Sequence, residues 1–261
     1  MAPLLHANVV FWGPGSPTYA VRQLRDSLAY HIVVARHRLG AAMVMASAAI
    51  IAAGTHALPV YEIYKVGEDL HWQQGLDFFG PYGLSLVFVS HWNNTEGGAD
   101  LDTSCCFMGQ ARFEQLLDLL PSEATIVGID EHTALVMDLG GQTCRVMGRG
   151  CVTLLSDRKE RCFPQGESFA ITELGSFQMP EPQAGIPPEV WRRVQAAQAE
   201  VEAIPEPPPE VLALVEEREV ARGRREWPAA DALREEINTL GWQVMDTPAG
   251  PRLEPMNQAS P

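Results

Sequence analysis

Gly128-Ile129-Asp130-Glu131-His132-Thr133-Ala134-Leu135 carries the strongest structural signal in the chain. The short apolar run Thr125-Ile126-Val127 leads into Gly128 and reads as a buried strand reaching a turn. Two carboxylates and an imidazole stand there, before a second apolar run from Thr133 to Met137. Open α/β sheets build their sites at the carboxyl ends of buried strands, so acids in this position point to a site. The same residues also read as a capped turn between two strands.

Two upstream segments bear on that choice. Ala41 to Gly54, AAMVMASAAIIAAG, is apolar apart from Ser47 and falls short of the ~20 residues of a membrane span. A strand ending at Ala46, a turn at Ser47 and a helix from Ala48 to Ala53 make the strand-turn-helix context of a nucleophile elbow. Small neighbours suit such a turn, because backbone N–H groups must approach an oxyanion. A serine within an Ala-rich buried helix is the competing reading. Leu84 to Asn94, LSLVFVSHWNN, is an apolar strand that delivers Ser90, His91 and Trp92 at its end. His91 there can serve as a general base or simply as a structural histidine. Serine, histidine and acid, each at a strand terminus, form a constellation that nucleophilic catalysis can use.

With these pieces in order, the chain resembles the cyanophycinase and dipeptidase E group of serine peptidases, whose sheet is of the class I glutamine amidotransferase type. VVFWGPGSPTYAVRQLRDSL resembles the strand, glycine turn and helix of the oxyanion region, with Gly13 and Gly15 in the turn. MASAAI resembles the nucleophile turn, VSHW the histidine segment and GIDEHTAL the acid segment. QQGLDFF, FMGQARFEQLLDLL and GRGCVTLL resemble the intervening and closing elements. The likeness covers roughly residues 8 to 156 and implies Ser47 as nucleophile, His91 as base and Glu131 as acid, with Gly13, Gly15 and Ala48 in the oxyanion region. Met45 and Ala49 occupy places where the family has glycine, and a side chain at Met45 is expected to crowd the strained turn. Val89 stands where a carboxylate is common, and Arg112 is retained where the family has several arginines. The family carries roughly one more βαβ unit before the glycine turn, so either a lost start or a sheet shorter by about two strands is expected.

Composition fits a mainly globular, cytoplasmic protein: 261 residues, 46% hydrophobic, with a formal net charge of −14. That charge argues against a general affinity for nucleic acid or anionic membrane. The N-terminus carries no basic segment followed by a hydrophobic stretch and cleavage site, and no run reaches membrane length. Five cysteines without a C-x-x-C motif make a disulfide framework or zinc site unexpected. Neither metal nor cofactor is expected. Cys106, near the histidine, reads either as a second nucleophile or as a small buried residue.

After Leu155 the periodicity fades and Gly and Pro gather, which predicts loops through residue 186, a helix over Glu189–Ala203 and a stiff linker at IPEPPPE. Beyond it, Val211, Leu214, Val215 and Arg218 line a helix that weakens at Gly223. Pro228 opens another, on which Leu233, Ile237 and Leu240 recur until Gly241. This tail resembles the C-terminal anticodon-recognition region of cysteinyl-tRNA synthetases over roughly residues 210 to 254. The likeness rests on Arg218, Ala221, Arg222, Ala230, Asp231, Leu233, Arg234, Leu240-Gly241, Asp246-Thr247 and Gly250. The His-x-Gly-His and Lys-Met-Ser-Lys-Ser segments and the zinc ligands of those enzymes are absent, so aminoacylation is not expected. Arg224, Arg225 and Trp227, with Arg222 nearby, are candidates for phosphate contact and base stacking. Alternatively these arginines pair with Glu216, Glu217, Glu219 and Glu226 on a solvated helix face.

The expected architecture is an α/β domain over residues 1–156 with a mostly parallel, flavodoxin-like sheet. Loops, a helix and the linker follow over 157–209, then a helical hairpin over 210–254 and a disordered end over 255–261. Strands are expected near 8–12, 42–46, 84–90 and 125–128 with more between 133 and 155, and helices near 17–30, 48–53 and 108–119. Three functions stay open: a serine hydrolase of a peptide or small amide, a non-catalytic amidotransferase-like binding protein, and a translation-linked accessory protein that binds tRNA through its tail. An uncovered strand edge left by a missing unit calls for a cover or a homodimer partner.

Overall fold

Short glycine turns and capping serines punctuate the N-terminal half into alternating strands and helices. The computed structural model describes residues 2–202, 206–247 and 250–256. In chain order it runs α1 (Ala2–Leu5), β1 (Val9–Trp12), α2 (Pro17–Leu24), α3 (Leu28–Arg38), β2 (Ala42–Met45), α4 (Ala48–Ala53), β3 (His56–Ala57) and β4 (Gln73–Gln74). A π-helical turn, Glu62–Val66, lies between the last two. There follow β5 (Leu86–Ser90), α5 (Ser104–Phe107), α6 (Gln110–Leu117), β6 (Thr125–Ile129), β7 (Thr133–Asp138), β8 (Thr143–Gly148), β9 (Cys151–Ser156), β10 (Lys159–Pro164) and β11 (Ser168–Ala170). The chain ends with α7 (Pro188–Glu202), α8 (Pro209–Gly223), α9 (Trp227–Thr239), β12 (Trp242–Thr247) and β13 (Gly250–Pro255). It divides into two units, Met1–Gln195 and Ala196–Pro261.

The first unit is a mixed α/β fold. β1 pairs parallel with β2, and β5 pairs parallel with β6. The remaining pairings are antiparallel: β3 with β4, β9 with both β6 and β10 in a four-stranded sheet ordered β10-β9-β6-β5, and β8 with both β7 and β11 in a three-stranded sheet ordered β11-β8-β7. The expected mostly parallel sheet is therefore limited to two strand pairs. Part of the reason lies in the connections: tight turns, not helical crossovers, join β7 to β8 and β9 to β10, and strands paired across a tight turn must be antiparallel. One such turn is Asp157-Arg158, both at positive φ (50° and 59°), which is the backbone of a two-residue hairpin. Without the usual Asn-Gly signature it read as a loop, and only Phe163 of β10 is buried to mark a strand.

β5 explains its own unbroken apolar run. Val87 and Val89 enter one core with Val21, Ile51, Phe113 and Leu116, while Leu86 and Phe88 enter another with Val127, Val152 and Phe163. A strand covered on both faces needs apolar residues at every position. The helix expected over 17–30 is two helices, because Asp26 turns to φ 56° and Ser27 starts a new cap on the Tyr30 N–H (3.1 Å). On β1, Val9 and Phe11 remain exposed.

The second unit holds the expected helical hairpin, α8 and α9, and adds an antiparallel β12–β13 ribbon that the sequence reading missed. Val211, Val215, Ile237, Trp242 and Val244 form its core. α8 ends at Gly223, where the sequence weakens it, and Arg225 just beyond takes φ 61°, a conformation where glycine is usual. The paired bonds Arg225 N–H to Arg222 O (3.0 Å) and Glu226 N–H to Ala221 O (2.9 Å) close that end. Gly241, at φ 83°, follows α9 as expected. Ile204 and Pro205 of the linker and residues 257–261 of the C-terminal end lie outside the described residues.

Candidate active site

Three strand ends meet in the first unit. Ser47 follows β2 at φ 53°, ψ −112°, a strained conformation that lifts a side chain off a strand-to-helix turn. Met45 and Ala49 do not prevent it: Met45 packs into the second core and Ala49 is buried in α4. His91 follows β5, also at positive φ (53°), and Glu131 follows β6 one residue beyond Asp130. Ser47 Oγ lies 2.9 Å from His91 Nε2, and His91 Nδ1 lies 2.9 Å from Glu131 Oε1. All three candidates are thus joined in one hydrogen-bonded line. With the Nδ1 proton directed at the carboxylate, Nε2 is free to accept the serine proton.

The parallel pairing that opposes Ser90 to Ile129 brings the histidine and acid ends side by side. Beyond the pairing, Trp92 N–H donates to Ile129 O (3.1 Å), and Glu131 N–H donates to Asn93 Oδ1 (2.8 Å). Asn94 Nδ2 donates to Glu131 Oε1 (2.8 Å). The Asn94 carboxamide and then the His91 ring hold the Glu131 carboxyl below the usual carboxylate range. Asn93 and Asn94 were in view in the sequence but carried no assigned role; the signal was two carboxamides directly after the candidate base. Asp130 turns away, its Oδ2 accepting from Cys151 N–H (2.7 Å), and His132 is exposed at φ 57°. Gly128 is required by close approach: a Cβ there would lie 2.4 Å from Trp92 Cδ2.

A cavity of about 300 Å³ opens on Ser47 and His91, lined also by Gly15, Ala48, Tyr61, Tyr64, Lys65, Glu96 and Phe107. Ala48 begins α4, so its N–H is available at the turn. Gly15, at φ 154°, faces the same cavity, whereas Gly13 is not part of the lining. A larger apolar cavity of about 700 Å³ lies against Glu131, between β2 and the β6–β7 turn. Cys106 lines the smaller cavity but is buried, and burial pushes its thiol up to about 12, far from a thiolate nucleophile.

In the tail the four RNA-binding candidates separate. Arg218 is 2% exposed, with Nη2 on both Asp246 oxygens (3.0 and 3.1 Å) and Nη1 on Glu219 (2.7 Å). Arg222 shares the same carboxylates, at 3.1 Å from Asp246 and 3.7 Å from Glu219, which makes it part of the scaffold. Arg224 and Arg225 form no ion pair among the described residues, and Trp227 beside them is 53% exposed.

Comparison with known proteins finds two separate likenesses. Residues 205–250 match the family described as the cysteinyl-tRNA ligase anticodon binding domain. The cysteine–tRNA ligase of Rubrobacter xylanophilus is 60% identical over 48 residues, which is 18% of this chain and 10% of the ligase. That of Methanosarcina acetivorans is 50% identical over 58 residues, 22% of this chain and 12% of the ligase. The chain therefore spans about a tenth of these relatives, and the likeness is to their anticodon-binding part. Among solved structures, a peptidase from an acI-B1 Actinobacterium matches with a TM-score of 0.50 and 21% identity, over 64% of this chain and 62% of that one. A match of that extent falls mainly in the α/β unit, which has a peptidase-like fold.

Proposed function

We propose that the α/β unit is a serine hydrolase of the cyanophycinase and dipeptidase E type that cleaves a peptide or small amide bond. The observation that carries this reading is the unbroken Ser47–His91–Glu131 line, with both links at 2.9 Å. In the proposed reaction Ser47 Oγ attacks the carbonyl carbon while His91 Nε2 takes its proton. Glu131 holds the imidazole in one tautomer and stabilises the imidazolium that forms. The tetrahedral oxyanion is held by the Ala48 N–H and the backbone near Gly15; one such donor is typically worth ~10²–10³ in rate. His91 then returns the proton to the leaving amine, and water attacks the acyl-serine by the same route in reverse. The 300 Å³ cavity next to Ser47 has room for a small acyl or aminoacyl group.

The test is hydrolysis of a library of short peptides and amides by the full chain and by Ser47→Ala, His91→Ala and Glu131→Gln. Turnover that each substitution lowers by ~10³ or more supports the reading. Turnover indifferent to Ser47, or none in the wild type, leaves the α/β unit as a non-catalytic binding domain.

A second reading applies to the tail. Among the described residues Arg224 and Arg225 form no ion pair while Arg218 and Arg222 are engaged, and Trp227 beside them is exposed, which favours a small tRNA-binding patch at the α8–α9 turn. Affinity from so few cations is weak and salt-sensitive. A tRNA mobility shift at low salt that the triple alanine variant at 224, 225 and 227 abolishes supports it; equal mobility with wild type and variant removes it.

A further inference from the structure

We infer that Asn94 is the positioning residue of the proposed relay, the group that keeps the Glu131 carboxylate aimed at His91. This rests on the hydrolase reading above. Glu131 needs such a group: its side chain is 33% exposed and ends in a flexible carboxylate that water can draw away from the imidazole. Asn94, in contrast, is only 2% exposed. Its N–H donates to His91 O (3.2 Å), and its carbonyl oxygen accepts from Thr103 Oγ1 (3.4 Å), so the main chain is fastened on both sides.

The orientation of the carboxamide follows from its other contact. Asn94 Oδ1 accepts from the Glu96 N–H at 3.1 Å, which turns Nδ2 toward Glu131. A flipped amide would set two acceptor oxygens against each other and two N–H groups against each other. Asn94 therefore acts as a donor in one fixed direction. Glu131 Oε1 receives two bonds at once, 2.8 Å from Asn94 Nδ2 and 2.9 Å from His91 Nδ1. A donor on that oxygen favours the ionised carboxylate and fixes where it points, which is what a relay needs and what a solvent-exposed glutamate lacks. Asn93 does a separate job, because its Oδ1 holds only the Glu131 main chain. The titratable neighbours of this carboxylate are His91 across the strand ends and His132 next in the chain.

The experiment compares wild type, Asn94→Ala and the isosteric Asn94→Asp in the full chain, with two readouts. The first is fluorophosphonate acylation across pH, separated into a maximal rate and a half-saturating probe concentration. Asn94→Ala is expected to lower the maximal rate by ~10–100-fold, as loss of an orienting partner typically does, with half-saturation changed less than about two-fold. The second is the NMR titration of the Glu131 carboxyl carbon. Its midpoint is expected to rise in Asn94→Ala and to rise further in Asn94→Asp, where a second carboxylate faces it. If the alanine variant does not fold, Asn94→Asp preserves the packing and decides alone. If wild type is never acylated, the hydrolase reading fails while the carboxyl titration still judges Asn94. An unchanged Glu131 midpoint in both variants, or a loss confined to half-saturation, overturns the inference.

Discussion

Substituting Gly128 by alanine tests whether the acid and histidine strand ends are held in one fixed register. The added Cβ would lie 2.4 Å from Trp92 Cδ2, 2.6 Å from Cε3 and 2.9 Å from Cγ. Carbon atoms prefer about 3.5–4.0 Å, so the indole must retreat by ~1 Å. It has little freedom to do so, because the ring meets Phe113 edge-on at 5.2 Å and the Trp92 main-chain N–H is bonded to Ile129 O at 3.1 Å. Overpacking of this kind costs about 1–3 kcal/mol, and alanine's better fit to a strand returns about 0.5–1. A net loss of roughly 1–2 kcal/mol lowers the melting temperature by roughly 2–8 °C in a unit of this size. Trp92 directly follows His91, so the same retreat draws the imidazole from Ser47, and a misplacement of ~1 Å can lower acylation ~10²-fold. The assay is thermal unfolding together with fluorophosphonate labelling, for Gly128→Ala and for Gly128→Ala with Trp92→Leu. The double variant should cost less than the sum of the singles, since the leucine removes the obstructed ring. A melting temperature equal to wild type for Gly128→Ala, or strict additivity in the cycle, refutes the close approach and the register drawn from it.

Three further outcomes follow from the same contacts. Ser47→Gly should be more stable than Ser47→Ala by about 0.5–2 kcal/mol in urea unfolding, because both lose the hydroxyl but only glycine relieves the φ 53° turn; equal midpoints would deny the strain. Glu131 has a lowered folded pKa, so its contribution to stability is present above the usual carboxylate value near ~4.3 and is lost as pH falls through the depressed one. The stability difference between wild type and Glu131→Gln should therefore shrink from pH 7 toward pH ~3, and a difference that grows on acidification contradicts the assignment. Asp246→Ala leaves the Arg218 guanidinium, 2% exposed, with Glu219 alone. A fully buried pair costs ~3–5 kcal/mol to break, and the half-exposed Asp246 reduces this to roughly 1–2, read as lost helical signal of the tail in urea; no change would place the Arg218 anchor elsewhere.

How much of this was legible in the sequence depends on whether a residue's role is local. Ser47, His91 and Glu131 each end an apolar run, and an apolar run ending in a polar, chemistry-bearing side chain is a local pattern. The structure brings those three together as expected. The antiparallel pairing of β9 with β10 was not legible, because it depends on a hairpin whose turn residues, Asp157 and Arg158, ordinarily avoid positive φ. The end of α8 at Gly223 was legible, whereas the positive φ of Arg225 just beyond it was not, since that conformation ordinarily calls for glycine. The role of Asn94 was hidden for another reason. A polar residue in a Gly-rich loop reads as solvent-facing, and only the fold reveals that it is buried with its amide on Glu131. Arg222 was readable in two ways, as an RNA contact or as a partner of nearby glutamates, and in the structure it pairs with Glu219 and with Asp246, which is distant in sequence.

The proposed hydrolysis requires Ser47 to be an activated nucleophile. The intact mass of the full chain after exposure to an alkyl fluorophosphonate, with the modified peptide then sequenced, measures this. One adduct per chain is expected, located on Ser47, absent from Ser47→Ala and formed at least ~10³-fold more slowly in His91→Ala. No adduct on wild type, or an adduct that persists in Ser47→Ala, would contradict it.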